Sequence, residues 1–320
     1  MKPLIEIEHV SKRFRKPLDL AEKIARRLGA DVNEEVVHAV DDVSFTVAEG
    51  EVVGLVGESG CGKSTLGRMI AGILEPSEGV IRYRGGEERG LKVQMIFQDP
   101  FASLNPRMRV ADIVGEAPLV HGIVSKDGFD AYVDDVLRRC GLDPEYKRRY
   151  PHQFSGGQKS RIGIARALAV KPDFLVCDEA VAALDVSIQA QILNLFMDLR
   201  RSLSLTYLFI SHDLGVVEHL ADRVVIMYLG RVVESTTAEE LFRAPNHPYT
   251  QALLKQVPRL ETRRTKFLPI VGEIPSPLSP PPGCHFHPRC PHAMPRCREE
   301  APLLKEIVAG HLSACHLNDG

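Results

Sequence analysis

The chain has 320 residues, 44% of them hydrophobic, and a formal net charge of -2, enough apolar surface to bury a sizeable core in one large domain or two. The near-neutral balance, with a pI of about 6.6, argues against a general nucleic-acid binder. No apolar run approaches the roughly 18 residues a membrane helix requires, and the first residues alternate charged and apolar instead of forming a secretory leader, so a soluble cytosolic protein is expected.

Taken in order, Ile5 and Ile7 alternate with Glu6 and Glu8, which predicts an edge-type strand. Residues 19–28 read as a short amphipathic helix with Leu20, Ile24 and Leu28 on one face. Val43, Phe45 and Val47 alternate again. Residues 51–56 form a continuous apolar run of buried-strand type, and residues 64–74 a helix stopped by Pro76. Strands are predicted at 80–84 and 93–97, on either side of a glycine-rich turn at 85–90. From about residue 100 to 165 the pattern turns helical, with segments at 112–121 and 129–140 and a further helix over 159–170. Residues 174–177, 206–210 and 224–227 are short buried strands. Between the first two lies a helix over 187–202, with Ile188, Ile192, Leu195, Phe196 and Leu199 on one face. Strands alternating with helices predict a parallel sheet covered on both faces. After residue 241 the composition shifts, and seven prolines fall between Pro275 and Pro291. A boundary near residue 245 therefore divides 1–245 from 246–320.

The chemistry begins at Gly57-Glu58-Ser59-Gly60-Cys61-Gly62-Lys63-Ser64-Thr65, which fits the phosphate-cradling pattern between a strand and a helix. Glycines let consecutive N–H groups turn toward phosphate oxygens, and the helix start adds its positive end. Lys63 is placed to reach the outer phosphates and Ser64 to ligate magnesium. Asp178 and Glu179 end a buried strand; Asp178 is the expected magnesium carboxylate and Glu179 the general base for attack on the γ-phosphate. Gln98 follows another strand and can contact magnesium and the attacking water, and His212 follows a third and can hydrogen-bond the γ-phosphate; taken alone, each reads as a polar residue entering a loop. Ser155-Gly156-Gly157-Gln158 opens a helix with a second set of anion-facing donors. One nucleotide does not need two such sets, so the second is expected to serve the nucleotide of a neighbouring subunit.

Together these residues resemble an ATP-binding cassette subunit over nearly the whole chain. The phosphate loop, Gln98, the signature at Ser155 to Gln158, Cys177-Asp178-Glu179, Ala183-Leu184-Asp185 and Ser211-His212-Asp213 occur in the family's order. The resemblance implies a P-loop α/β cassette with a RecA-like parallel-sheet core, an antiparallel β subdomain and an α-helical subdomain, followed here by a small irregular cysteine-rich extension. It implies ATP and magnesium as ligands, a head-to-tail dimer bridged at Asp185, and ATP hydrolysis that is slow in the isolated chain. Phe14 sits where the family places its adenine-stacking aromatic. Ala180-Val181-Ala182-Ala183-Leu184-Asp185 departs from the usual Pro-Val-Ser-Ala-Leu-Asp, Phe154 replaces leucine before the signature, and Lys159-Ser160 replaces the usual Arg-Gln.

A narrower likeness to the oligopeptide, dipeptide and nickel importer ATPases is carried by residues 97–106, Tyr150-Pro151-His152-Gln153-Phe154, residues 246–254 and Gly283-Cys284-His285-Phe286-His287-Pro288-Arg289-Cys290-Pro291. It implies a second ATPase subunit, two permeases, an extracytoplasmic substrate-binding protein, no nucleic acid, and a peripheral position on the cytoplasmic face of the membrane. The transported substrate is not written in these residues. Of seven cysteines, Cys284, Cys290, Cys297 and Cys315 crowd the last 37 residues, which in a reducing compartment suits a metal site better than disulfides. By donor type alone, zinc and an iron–sulfur cluster are both open. The resemblance implies a 4Fe-4S cluster, with zinc as the alternative.

Overall fold

The computed structural model describes residues 3–16, 28, 35–84, 91–99, 103–182, 184–256 and 272–319. Outside them lie the expected helix over 19–28 (Leu28 apart), the turn at 85–90, and Ala183 of the bridging loop.

The first part contains β1 (Pro3–Arg15), β2 (Val36–Ala48), β3 (Val52–Val56), α1 (Lys63–Ile70), β4 (Glu78–Tyr83) and β5 (Val93–Ile96). β1 pairs antiparallel with both β2 and β4, so it is the middle strand of a three-stranded sheet and not the edge strand its alternation suggested. Alternation reports one buried face, here Ile5 and Ile7. It does not report how many strands lie alongside.

The helical region follows, with α2 (Val110–Val120), α3 (Phe129–Arg139) and α4 (Gly156–Leu168). Val114, Val133, Leu137 and Ile162 share one apolar cluster there with Phe196 of the helix over Val186–Leu203 and Phe209 of the strand over Thr206–Ser211. Next come β6 (Phe174–Asp178), α5 (Val186–Leu203), β7 (Thr206–Ser211), α6 (Leu214–Leu220), β8 (Arg223–Tyr228), β9 (Arg231–Thr237), α7 (Ala238–Arg243) and α8 (Pro248–Leu254). The chain closes with α9 (Arg296–Glu299), β10 (Lys305–Val308) and β11 (His311–Ser313).

Among the described residues the main sheet runs β10-β11-β9-β8-β3-β7-β6-β5. β5, β6, β7, β3 and β8 are mutually parallel. Every residue of β3, β6 and β7 is buried, which explains why these strands are continuous apolar runs. β3, β6 and β7 end in the phosphate loop, in Asp178 and Glu179, and before His212. The parallel sheet thus gathers the candidate residues at the carboxyl ends of its strands. Beyond β8 the sheet turns antiparallel. β11 pairs with β9 through Leu312 to Ser235 and Ser313 to Glu234, so strands from the proline-rich side of the expected boundary extend the same sheet. The buried Glu234 carboxylate joins the two parts. It accepts the backbone N–H groups of Asn246 and His247, and it lies 2.7 Å from His311 Nε2.

Candidate nucleotide site

The loop after β3 folds as its glycines require. Gly62 has φ of +105°, and a Cβ there would meet the Ala39 carbonyl oxygen at 2.0 Å. A Cβ on Gly57 would stand 2.2 Å from the Met227 carbonyl oxygen. Both positions therefore exclude any side chain. Lys63, nearly fully buried, donates to the carbonyls of Gly57 at 2.7 Å and Glu58 at 3.0 Å. Its ammonium is thus held inside the loop it serves. Cys61 is buried beside it, and burial raises its thiol above the usual range.

Two carboxylates close the site. Ser64 Oγ donates to Asp178 Oδ1 at 2.8 Å. Burial raises the Asp178 carboxyl above the ordinary range, and the Ser64 hydrogen bond opposes the shift. Gln98 Nε2 donates to Glu179 Oε2 at 2.6 Å, and His212 Nδ1 lies 3.3 Å from Glu179 Oε1. Glu179 has φ of +47°, a left-handed conformation that costs a non-glycine residue about 1–2 kcal/mol. Its N–H is fastened to the Ile210 carbonyl at 3.0 Å. Strain of this kind collects at functional sites, and no local sequence signal announces it.

Phe14, Ser59, Gly60, Gly62, Lys63, Ser64, Thr65, Gln98 and Glu179 line one cavity of about 350 Å³. Phe14 is 42% exposed, with Lys12 Nζ 5.5 Å from its ring centre. Val37, Ala39 and Pro277 complete the wall; none stood out in the sequence, because they lie far from the motif and carry no chemistry of their own. Ser155 to Gln158 and Asp185 do not line this cavity. Ser155 and Gln158 form a capping box at the start of α4: the Gln158 N–H donates to Ser155 Oγ at 3.4 Å, and the Ser155 N–H donates to Gln158 Oε1 at 3.0 Å. Gly157 is required by packing, since a Cβ would meet Ile188 at 2.5 Å. Asp185 caps α5 through its backbone, its carbonyl accepting the Gln189 N–H.

In the C-terminal segment the Cys284 N–H donates to the Cys297 carbonyl at 2.8 Å. Burial is the main cause that pushes the Cys284 thiol up to about 11, and the charges of Cys297, Cys315 and Cys290 add to it. A backbone hydrogen bond thus ties the turn at Cys284 to Cys297. Even so, among the described residues no group of three or more His, Cys, Asp or Glu side chains is spaced to hold a metal ion.

A parallel sheet with a glycine loop, a buried carboxylate bonded to the loop's serine, a strained glutamate and a helical insertion defines a phosphate-loop ATPase of cassette architecture. The ABC transporter family profile matches residues 40–182, and that of the oligopeptide/dipeptide transporter C-terminal region matches residues 233–297. The chain is 50% identical over 295 residues to the oligopeptide transport ATP-binding protein AppF of Bacillus subtilis (strain 168), covering 88% of this chain and 90% of that one. It is 47% identical over 298 residues to the dipeptide transport ATP-binding protein DppF of Haemophilus influenzae, covering 90% and 91%. Among solved structures it resembles cbiO1 from Clostridium perfringens, part of the ABC transporter complex cbiONQ, with TM-score 0.61, 26% identity and coverage of 76% and 92%. It also resembles the ATP-binding cassette MJ0796 in a post-hydrolysis state with ADP and Pi, with TM-score 0.61, 25% identity and coverage of 73% and 98%. The chain belongs to the ABC transporter ATP-binding family, in the branch with an oligopeptide/dipeptide-type C-terminal region.

Proposed function

We propose that the chain is the ATP-binding and hydrolysing subunit of a peptide-class importer, in which residues 1–245 form the cassette and 246–320 an extension joined to its sheet. The observation that carries this reading is the separation of two anion-facing motifs. The phosphate loop lines the cavity with Glu179 and Gln98, whereas Ser155 to Gln158 do not. A head-to-tail dimer brings one subunit's signature to the other's phosphate loop, with Asp185 at the bridge. In this reading Phe14 stacks the adenine and Lys63 binds the outer phosphates. Magnesium, held by Ser64, Asp178 and Gln98, neutralises phosphate charge when bound. Glu179 accepts a proton as water oxygen bonds to the γ-phosphorus, the bond to the bridging oxygen breaks and ADP leaves. His212 holds the γ-phosphate.

No helix among the described residues is long and apolar enough to cross a membrane; in this reading the subunit is peripheral and works through two permeases and an extracytoplasmic binding protein. Affinity purification from native membranes tests this, with two co-purifying polytopic proteins as the expected result. Recovery with ribosomes or DNA-repair factors instead would overturn it in favour of a non-transport ATPase. Uptake of labelled peptides, compared with nickel, glutathione and sugars, fixes the substrate class.

The four cysteines have the soft donors a 4Fe-4S cluster takes, with zinc as the competing ion. Their crowding into the last 37 residues of the sequence is what supports a bound group. Iron, zinc and acid-labile sulfide analysis of anaerobically purified protein decides between the two, and absence of all three sinks both.

A further inference from the structure

Glu58 is the one acidic residue of the loop at residues 57–65, and a carboxylate there opposes binding of a polyphosphate. It does not stand alone. Arg289 donates to it with both ends of its guanidinium, Nη1 to Oε2 at 2.7 Å and Nη2 to Oε1 at 3.0 Å. This is the paired geometry that makes arginine–carboxylate contacts strong and directional. The Arg289 side chain is 4% exposed. Its Nη1 also lies 3.4 Å from the Tyr228 hydroxyl, and its guanidinium carbon 5.8 Å from the centre of that ring.

The main chain of Glu58 is held as well. Its N–H donates to the Tyr249 hydroxyl at 2.9 Å. Tyr249 is packed 4.7 Å from Tyr228 and 5.4 Å from Phe286, ring centre to centre. Farther along the loop, the Cys61 carbonyl accepts the Gly230 N–H at 3.0 Å. The neighbouring Leu229 carbonyl lies 3.1 Å from His285 Nδ1, so that nitrogen carries the proton. Pro277 forms part of the cavity wall, and its carbonyl accepts the His38 N–H at 3.0 Å. Tyr249, Pro277, His285, Phe286 and Arg289 all come from the C-terminal segment.

We propose that Arg289 is a positioning residue for the nucleotide. By pairing with Glu58 it neutralises the loop's only carboxylate and fixes the start of the loop, so the C-terminal segment is part of its own chain's ATP site. A plain staple for the tail would need no carboxylate inside the anion-binding loop, since an ordinary surface pair would hold the tail equally well. The proposal rests on the nucleotide-site reading above.

The test is the affinity of the purified full-length chain for a fluorescent ATP analogue with magnesium, in wild type, Lys63→Ala, Glu58→Gln, Arg289→Lys, Arg289→Met and the Glu58→Gln/Arg289→Met double variant. Arg289→Met leaves the half-buried Glu58 carboxylate unpaired and the start of the loop unfastened, so Kd is expected to rise about 10- to 100-fold, as when a remote change misplaces a binding group. Arg289→Lys keeps the charge but loses the fork, and should fall between wild type and Arg289→Met. Removing both charges should restore much of the affinity, giving a double-mutant cycle far from additive. In the assembled transporter the Arg289 variants should raise KM for ATP more than they lower kcat. If Arg289→Met does not fold, Arg289→Lys carries the test, and an unchanged Kd overturns the proposal. Additive effects in the cycle overturn it too. Normal binding in Lys63→Ala would instead show that the nucleotide site itself is misassigned.

Discussion

Ser64 Oγ donates to Asp178 Oδ1 across 2.8 Å, tying the first turn of α1 to the last residue of β6. Two groups suited to one divalent cation are thus held together by the packing of a helix on a sheet. Ser64→Ala and Asp178→Asn are each expected to reduce the magnesium-dependent gain in ATP affinity by about 10- to 100-fold, the range seen when groups around a metal are removed. Titration of a fluorescent ATP analogue with and without magnesium measures it, and binding in EDTA should change much less.

Glu179 should matter to turnover more than to binding. Glu179→Gln keeps the shape and the Gln98 contact but loses the base, and hydrolysis is expected to fall about 10²- to 10⁴-fold. ATP affinity should stay within a few fold of wild type. Phosphate release from the assembled transporter checks this; a variant that turns over normally removes Glu179 from the base role.

The loop glycines differ in what they tolerate. Gly60→Ala meets nothing within 4 Å and suffers only from its φ of +80°, a penalty of about 1–2 kcal/mol. Gly62→Ala adds a collision with the Ala39 carbonyl. Gly62→Ala should therefore lower Tm more than Gly60→Ala and abolish nucleotide binding, as read by thermal unfolding with and without MgATP.

Phe14 offers an exposed ring at the rim of the cavity. Phe14→Ala should weaken ATP by about 1–3 kcal/mol, the measured worth of a base–aromatic stack, whereas Phe14→Tyr should bind almost as wild type. Equal affinity in Phe14→Ala would place the base elsewhere.

Acid should loosen the junction between cassette and tail. His247 Nδ1 accepts the Tyr249 N–H at 3.1 Å, and burial pushes this histidine down to about 4, a hydrogen bond to the Ala314 backbone opposing the shift. Its folded value is below its unfolded one, so the unfolded chain takes up the proton first as pH falls. The neutral side chain's contribution is complete above about pH 6.5 and is lost as pH drops from there toward 4. The loss is on the order of 2–3 kcal/mol. Denaturant unfolding at pH 7, 5.5 and 4.5 should show it, with a shallower decline in His247→Gln.

Read in order, the residues alone determined the class of this protein and named the residues that the parallel sheet gathers at its strand ends. The phosphate loop, Gln98, Asp178, Glu179, His212 and the signature are short patterns whose chemistry depends on near neighbours, and buried parallel strands betray themselves as unbroken apolar runs. Tertiary structure decided what depends on distant pairing. It made β1 a central strand, extended the main sheet with β11, set Glu179 in a left-handed conformation, and brought Pro277 and Arg289 to a loop more than 210 positions earlier. No local period or spacing encodes such contacts. They exist because closing the sheet buries Tyr228, Tyr249 and Phe286 in one cluster, and that burial carries the arginine to the glutamate.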